Sequence, residues 1–226
     1  MEPVTKKQQR RTFVGLSSLA LAGATAALAQ DKTRPAAAWS PARHGTDDWL
    51  ERPSQHRIVF DTTTFEGAGV ANVFATNFVR VNGTDYGLKE RDLAVLIVLR
   101  HRSTPLGYND AMWAKYGAPM AAQARFSDPK TQGAPKVNLY NSKDHADTLE
   151  NRGVTFDALV KQGVTFAVCS LATRVYAAAI AKSMGGNVDA INQELVANLI
   201  ANARMVTAGI VVVSRAQERG YTLVTA

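Results

Sequence analysis

A run of seven consecutive apolar residues, from Leu93 to Leu99, constrains the fold of this chain more than any other feature. A strand with one face in water alternates apolar and polar residues, and this run offers no polar residue for such a face. Unbroken apolar runs are typical of strands covered on both faces, as in a parallel sheet packed between helices. The run therefore predicts a buried strand of a largely parallel sheet.

Shorter β-rich runs alternate with segments of helical spacing along the rest of the chain. Strands are predicted at residues 57–61, 164–168 and 221–224, and helices at residues 69–81, 108–116, 156–162, 171–184, 188–199 and 207–218. Thr155 is expected to cap the helix at residues 156–162. Residues 127–147 are polar, contain Pro129, Gly133 and Pro135, and are expected to form a long surface loop. The alternation predicts one α/β domain with a mostly parallel sheet.

The formal net charge of +7 does not by itself indicate nucleic-acid binding. Residues 1–29 contain four basic residues and one acidic residue, which leaves 22 basic and 18 acidic residues, a net charge of +4, in the rest of the chain. These charges are dispersed, and no basic stripe with interleaved aromatic residues is present in the sequence. We expect no nucleic-acid partner.

Residues 1–29 contain the three parts of an export signal. A basic segment holds Lys6, Lys7, Arg10 and Arg11, a mildly apolar stretch runs from Val14 to Ala29, and Ala27-Leu28-Ala29 forms an A-x-A cleavage site. The pair Arg10-Arg11, followed by Thr12, Phe13 and Val14, resembles a twin-arginine signal, whose route carries proteins that are already folded. An ordinary secretory signal or a membrane anchor is the alternative, although an apolar run of 16 residues is short for a span, which needs about 20. Cleavage after Ala29 is expected to leave a periplasmic chain with no stable membrane span.

Residues 30–54 are polar, contain Pro35, Pro41 and Pro53, and are predicted to form an arm on the surface of the domain that follows. Trp39 and Trp49 indicate that the arm docks, because exposed tryptophans in a free tail are unusual. The α/β domain is expected to span residues 55–226.

Cys169 is the only cysteine of the chain, so an intrachain disulfide is impossible. The same count excludes zinc sites with two or more thiolates, iron–sulfur clusters and c-type haem attachment. The four histidines are scattered and lack the short spacings of metal ligands: His44, His56, His101 and His145. We expect neither a dedicated metal site nor a cofactor.

Cys169 lies at the boundary between a predicted strand and a predicted helix. The free N–H groups and the dipole of a helix N-terminus stabilise a thiolate at this position. Ser170 and Arg174 follow in the same helix and are candidate ligand-binding residues, with Arg174 adding positive charge. A thiolate here would accept sulfur, form a persulfide or bind a soft ligand. The alternative is that Cys169 is a small buried apolar residue.

A second strand-to-helix junction follows the run that ends at Leu99, and ligands of parallel sheets bind beyond the carboxyl ends of such strands. His101 is a candidate for proton transfer or for anion binding. The other candidate ligand-binding residues of this junction are Arg100, Arg102, Tyr108 and Asn109. The alternative is a solvated loop in which Asn109 or Asp110 caps a helix.

Four short segments resemble proteins of the DsrE/DsrF-like family. Val164-Thr165-Phe166-Ala167-Val168-Cys169 is similar to the family's strand that ends in cysteine, and Leu93 to His101 is similar to a strand that often ends in histidine. Met205 to Ile210 and Ala216 to Tyr221 are similar to the V-x-A-G helix start and to the Q-x-x-G-Y entry to the final strand. The similarity covers residues 57–224, with Ser170 standing where many relatives have glycine.

The resemblance implies a three-layer α/β domain that assembles into trimers or hexamers. It also implies that Cys169 carries a persulfide, as in relatives that act as sulfur carriers, so that the chain would be a sulfur carrier or a sulfurtransferase with a small sulfur compound or a protein as the sulfur donor. The alternative is a non-catalytic periplasmic protein of the same fold that binds a small ligand or takes part in assembly.

Replacing Arg10 and Arg11 by lysine should leave uncleaved precursor in the cytoplasm, because the arginine pair is what directs a chain to the twin-arginine route. The measurement is the ratio of precursor to mature chain in cytoplasmic and periplasmic fractions, with the wild-type chain as the control. Unchanged export in a strain that lacks the twin-arginine translocase would show that the signal uses another route.

Overall fold

The computed structural model describes residues 39–226, of which Arg43–Ala226 form one compact unit. The predicted export signal at residues 1–29 and the first part of the predicted arm, residues 30–38, lie outside the described residues. Among the described residues, no helix is both long enough and apolar enough to cross a membrane.

The compact unit is built on a sheet of five parallel strands. In chain order these are β1 (His56–Thr62), β2 (Leu93–Leu99), β3 (Thr165–Cys169), β4 (Ala203–Val206) and β5 (Thr222–Thr225). Their order across the sheet is β4-β3-β2-β1-β5, and every neighbouring pair is parallel. This confirms the predicted α/β domain with a parallel sheet. All seven residues of β2 are buried, as the apolar run predicts.

Helices connect and flank the strands. They are α1 (Phe65–Tyr86), α2 (Asp110–Ala124), α3 (Phe156–Lys161), α4 (Ser170–Met184), α5 (Val188–Ala197) and α6 (Gly209–Gln217). The predicted cap of α3 is confirmed, because the Thr155 hydroxyl oxygen accepts a hydrogen bond from the backbone N–H of Ala158 at 3.1 Å. The sequence patterns do not predict β4, a four-residue edge strand whose side chains are mostly exposed or half-buried and so leave no apolar signal.

Successive residues of β2 point to opposite faces of the sheet, and each face has its own apolar core. Val95 and Ile97 belong to a large core that also includes side chains of α1 to α5. Leu96 and Val98 belong to a smaller core formed with α6 and with a short 3-10 helix at Gly45–Leu50. The sheet is therefore the middle of three layers, with a much thicker layer on one face than on the other.

Residues 43–54 of the predicted arm pack onto this thinner layer. Leu50 is fully buried, and its carbonyl accepts a hydrogen bond from the Tyr221 hydroxyl at 3.1 Å. Trp49 packs beside the same core, and the Cζ atom of Arg204 lies 5.2 Å from the centre of the Trp49 ring. The end of the polar segment therefore belongs to the compact unit.

The prediction of a surface loop at residues 127–147 is wrong for its central part. Leu139 and Tyr140 are buried in the large core, and the Tyr140 hydroxyl donates a hydrogen bond to the carbonyl of Phe65. The Asn138 side-chain amide donates to the carbonyls of Leu106 and Tyr108 at 2.8 and 3.0 Å. Burial of these residues is tolerated because the Asn138 amide and the Tyr140 hydroxyl have hydrogen-bond partners.

Candidate functional site

A cleft of about 520 Å³ opens at the carboxyl edge of the sheet, beyond the ends of β2, β3 and β4. Its walls come from the segment after β2, from Cys169 and the first turns of α4, from the start of α6 and from the end of α2. The volume lies in the range of small-molecule sites, about 300–1,000 Å³. Arg100, His101, Arg102 and Cys169, which belong to two separate predicted junctions, all line this cleft.

The strand register explains why these two junctions meet. Leu99, the last residue of β2, is paired with Val168 of β3. Because the strands are parallel, the residues that follow both of them, Arg100 and Cys169, leave the sheet side by side. Cys169 lies 67 residues after Arg102 in the sequence (169 − 102), and the two are brought together only by this pairing.

Cys169 is both the last residue of β3 and the N-cap residue of α4. Its carbonyl accepts a hydrogen bond from the Thr173 hydroxyl at 2.9 Å, which closes the first turn of the helix. The residue is 7% exposed and forms part of the cleft wall. A thiolate at this position would lie beside the free N–H groups at the positive end of the helix dipole.

Arg100 forms a bidentate ion pair with Asp61, which lies near the end of β1. Its Nε and Nη2 atoms donate to the two carboxylate oxygens of Asp61 at 2.6 and 2.8 Å. The hydrogen bond to Asp61 raises the pKa of the Arg100 guanidinium above its ordinary value. Arg100 therefore stays charged, and the buried Asp61 carboxylate balances most of that charge.

His101 lies at the cleft with a left-handed backbone conformation, φ 57°. For a residue other than glycine this conformation costs about 1–3 kcal/mol, although histidine tolerates it better than most. The neighbouring backbone fixes it: the N–H groups of Arg100 and Arg102 donate to the carbonyls of Thr62 and Thr63 at 3.3 and 3.0 Å. The exposed imidazole is consequently held at the mouth of the cleft rather than within the sheet.

The free positive charge of the cleft comes from Arg102 and Arg125. Within residues 39–226, neither arginine forms an ion pair with a carboxylate. The described residues that line the cleft also include no Asp or Glu. Sequence reasoning misses Arg125 because it caps the C-terminus of α2, beyond the predicted end of that helix, and no local motif marks it.

Four predicted ligand-binding residues do not line the cleft. Tyr108 is buried, its hydroxyl donates to Thr173 at 2.8 Å, and burial raises its pKa. Asn109 caps α2 by accepting from the N–H of Met112, as its capping alternative predicts. Arg174 is exposed and paired with Asp189 of α5 at 3.0 Å, while Ser170 is the first residue of α4. Arg174 therefore binds a neighbouring helix, and its charge is directed away from the cleft.

Gly209, the first residue of α6, lets this helix approach the Arg100 side chain. A Cβ atom at Gly209 would lie 2.7 Å from the Cβ of Arg100 and 3.2 Å from Cγ1 of Val98. Such distances are shorter than van der Waals contact allows, so only glycine fits without displacing Arg100. The glycine of the predicted V-x-A-G segment is thus part of the support of the cleft.

Neither a cluster of metal ligands nor a known relative gives further information about the chemistry of the cleft. In the part of the chain that the structure describes, no group of three His, Cys, Asp or Glu residues is placed to bind a metal ion. No protein-family model and no curated protein matches the chain. The cleft is accordingly characterised by its own residues: one thiol, one imidazole, two arginines without an ion-pair partner among residues 39–226, and an apolar wall.

The substitution Gly209→Ala should destabilise the protein by about 1–3 kcal/mol, because the added methyl group would overlap the Arg100 side chain, which is paired with Asp61. Urea denaturation of the mature chain measures the change. Gly83→Ala is the matched control: the new methyl group would be 3.6 Å from the nearest atom, in ordinary contact, and should stabilise the exposed end of α1 by about 0.4–1 kcal/mol. Equal effects of the two substitutions would contradict the packing role of Gly209.

Proposed function

We propose that this chain is an exported member of the DsrE/DsrF-like family that carries sulfur as a persulfide on Cys169. The observation that carries the proposal is the position of the only thiol of the chain, in the wall of a cleft at the carboxyl edge of a parallel sheet. The segments that resemble the family contribute Cys169, His101 and Gly209 to the same cleft. The three-layer parallel architecture is the one that the resemblance implies.

The chemistry follows from the groups around the sulfur atom. The Cys169 thiolate attacks the outer sulfur of a small donor persulfide, R–S–SH, and forms the new S–S bond of Cys169–S–S⁻. The S–S bond of the donor breaks, its electron pair leaves with the R–S group, and the proton of the transferred sulfur passes to that group to give R–SH. In this step the negative charge, first on the thiolate and then on the product persulfide, lies beside the free N–H groups of the helix N-terminus. His101 at the cleft mouth exchanges protons with the donor and the released thiol.

The second candidate is a periplasmic protein of the same fold that binds a small ligand, or assists assembly, without covalent chemistry. The low exposure of Cys169, 7%, favours this candidate, because a buried thiol behaves as a small apolar residue. The apolar side chains in the cleft wall also suit a bound organic molecule. In both candidates the compartment is the periplasm, on the strength of the signal in residues 1–29.

The two candidates differ in the reactivity of Cys169. If the protein carries sulfur, iodoacetamide should alkylate the folded mature chain, at a rate that rises with pH as the thiolate forms. Treatment with a small organic persulfide should also add the mass of one sulfur atom, detected by mass spectrometry. Cys169→Ser is the control for both readouts, because that variant has no thiol. A thiol that reacts only in urea and never gains sulfur would exclude the carrier and leave the binding protein.

We also propose that the mature chain self-associates into trimers or hexamers. Support comes from the family resemblance and from apolar side chains that are exposed outside the cleft: Phe74 of α1, Met184 of α4 and Val211 of α6. Burial of such groups between identical subunits is a common source of oligomer stability. Light scattering at micromolar concentration should give three or six times the mass of the mature chain. A monomer mass would contradict both the assembly and the family assignment.

A further inference from the structure

We infer that the cleft binds a small organic anion, with its acidic group near Arg102 and Arg125 and its apolar part against α4 and α6. The inference rests on the proposed function only in placing the ligand in the same cleft. It requires no reaction at Cys169, and it holds for either of the two candidate functions.

The charges of the cleft select an anion. Arg102 and Arg125 line it without a carboxylate partner among residues 39–226, whereas the charge of Arg100 is balanced by Asp61. The nearby side chains of Glu66 and Glu150 do not line this cleft; they line a second pocket, which Arg125 also lines. A carboxylate, sulfonate or phosphate group would thus meet positive charge without an opposing carboxylate in the cleft.

The apolar wall selects an organic molecule over an inorganic ion. Leu171 and Val175 of α4 and Ile210 of α6 line the cleft and are 62%, 53% and 57% exposed. These side chains lose contact with water when a ligand covers them, and this burial of apolar surface favours binding. Sulfate or phosphate alone would leave all three in water.

A pair of fluorescent probes separates these two contributions. Anilinonaphthalene sulfonate is an aromatic anion, and its parent anilinonaphthalene has the same rings without the sulfonate. We expect the anionic probe to bind the folded mature chain more tightly than the neutral parent, and its affinity to fall as sodium chloride is added. Fluorescence titration of each probe measures both affinities.

Substitutions then locate the probe. Arg102→Met and Arg125→Met should each weaken the anionic probe by about tenfold, the usual value of one hydrogen bond to a charged group, and leave the neutral parent unchanged. Arg174→Met is the matched control, because it removes an arginine of α4 that is paired with Asp189 outside the cleft. Ile210→Ser should weaken both probes.

Two results would overturn the inference. If the neutral parent binds as tightly as the sulfonate and the arginine variants do not matter, the cleft is an apolar surface without anion selectivity. If Ile210→Ser changes the mass of the oligomer but not the affinity for either probe, this wall is a contact between subunits. Sulfur loading is measured by mass spectrometry and probe binding by fluorescence, so failure of the sulfur-carrier proposal is distinguishable from failure of this one.

Discussion

The parallel pairing of β2 with β1 and β3 is the constraint on which the rest of the structure depends. β2 has seven buried apolar residues and needs a neighbouring strand on each edge and a core on each face. Parallel strands end at the same edge of a sheet, so the polar residues that follow β2 must emerge beside the end of β3. The cleft exists because the segment after β2 and the N-terminus of α4 meet there.

The ion pair of Asp61 with Arg100, together with the close approach of Gly209, links the ends of three strands at that edge. Asp61, near the end of β1, is almost completely buried, and a buried carboxylate needs a partner that balances its charge. Arg100, which follows β2, supplies that charge, and Gly209, which follows β4, allows α6 to pack against the Arg100 side chain. The positions of these three chain segments therefore depend on one another.

The balance of charge in the cleft follows from this arrangement. Arg100 is paired with Asp61, so Arg102 and Arg125 remain as the charges that an external anion meets. Exposed apolar side chains of α4 and α6 line the same cleft. A site with one thiol, two arginines that have no carboxylate partner within the described part of the chain, and an apolar surface suits an organic anion, whether or not that anion delivers sulfur.

Local sequence patterns determined the features that depend on a few neighbouring residues. The unbroken apolar run determined that β2 is buried on both faces, Thr155 determined the start of α3, and Cys169 was placed at a strand-to-helix boundary. Periodicity and capping suffice for these features because they reflect hydrogen bonds and burial within one element.

Tertiary structure alone decided which of these elements meet. It placed Arg125 in the cleft and directed Arg174 toward Asp189, and it buried Tyr140 from a segment with the composition of a surface loop. β4 also forms only in the tertiary structure, because this short edge strand is mostly exposed or half-buried and its residues show no apolar pattern in the sequence. These outcomes depend on contacts between residues far apart in the chain. Strand order and helix packing determine such contacts, and the spacing of residues within one element carries no information about either.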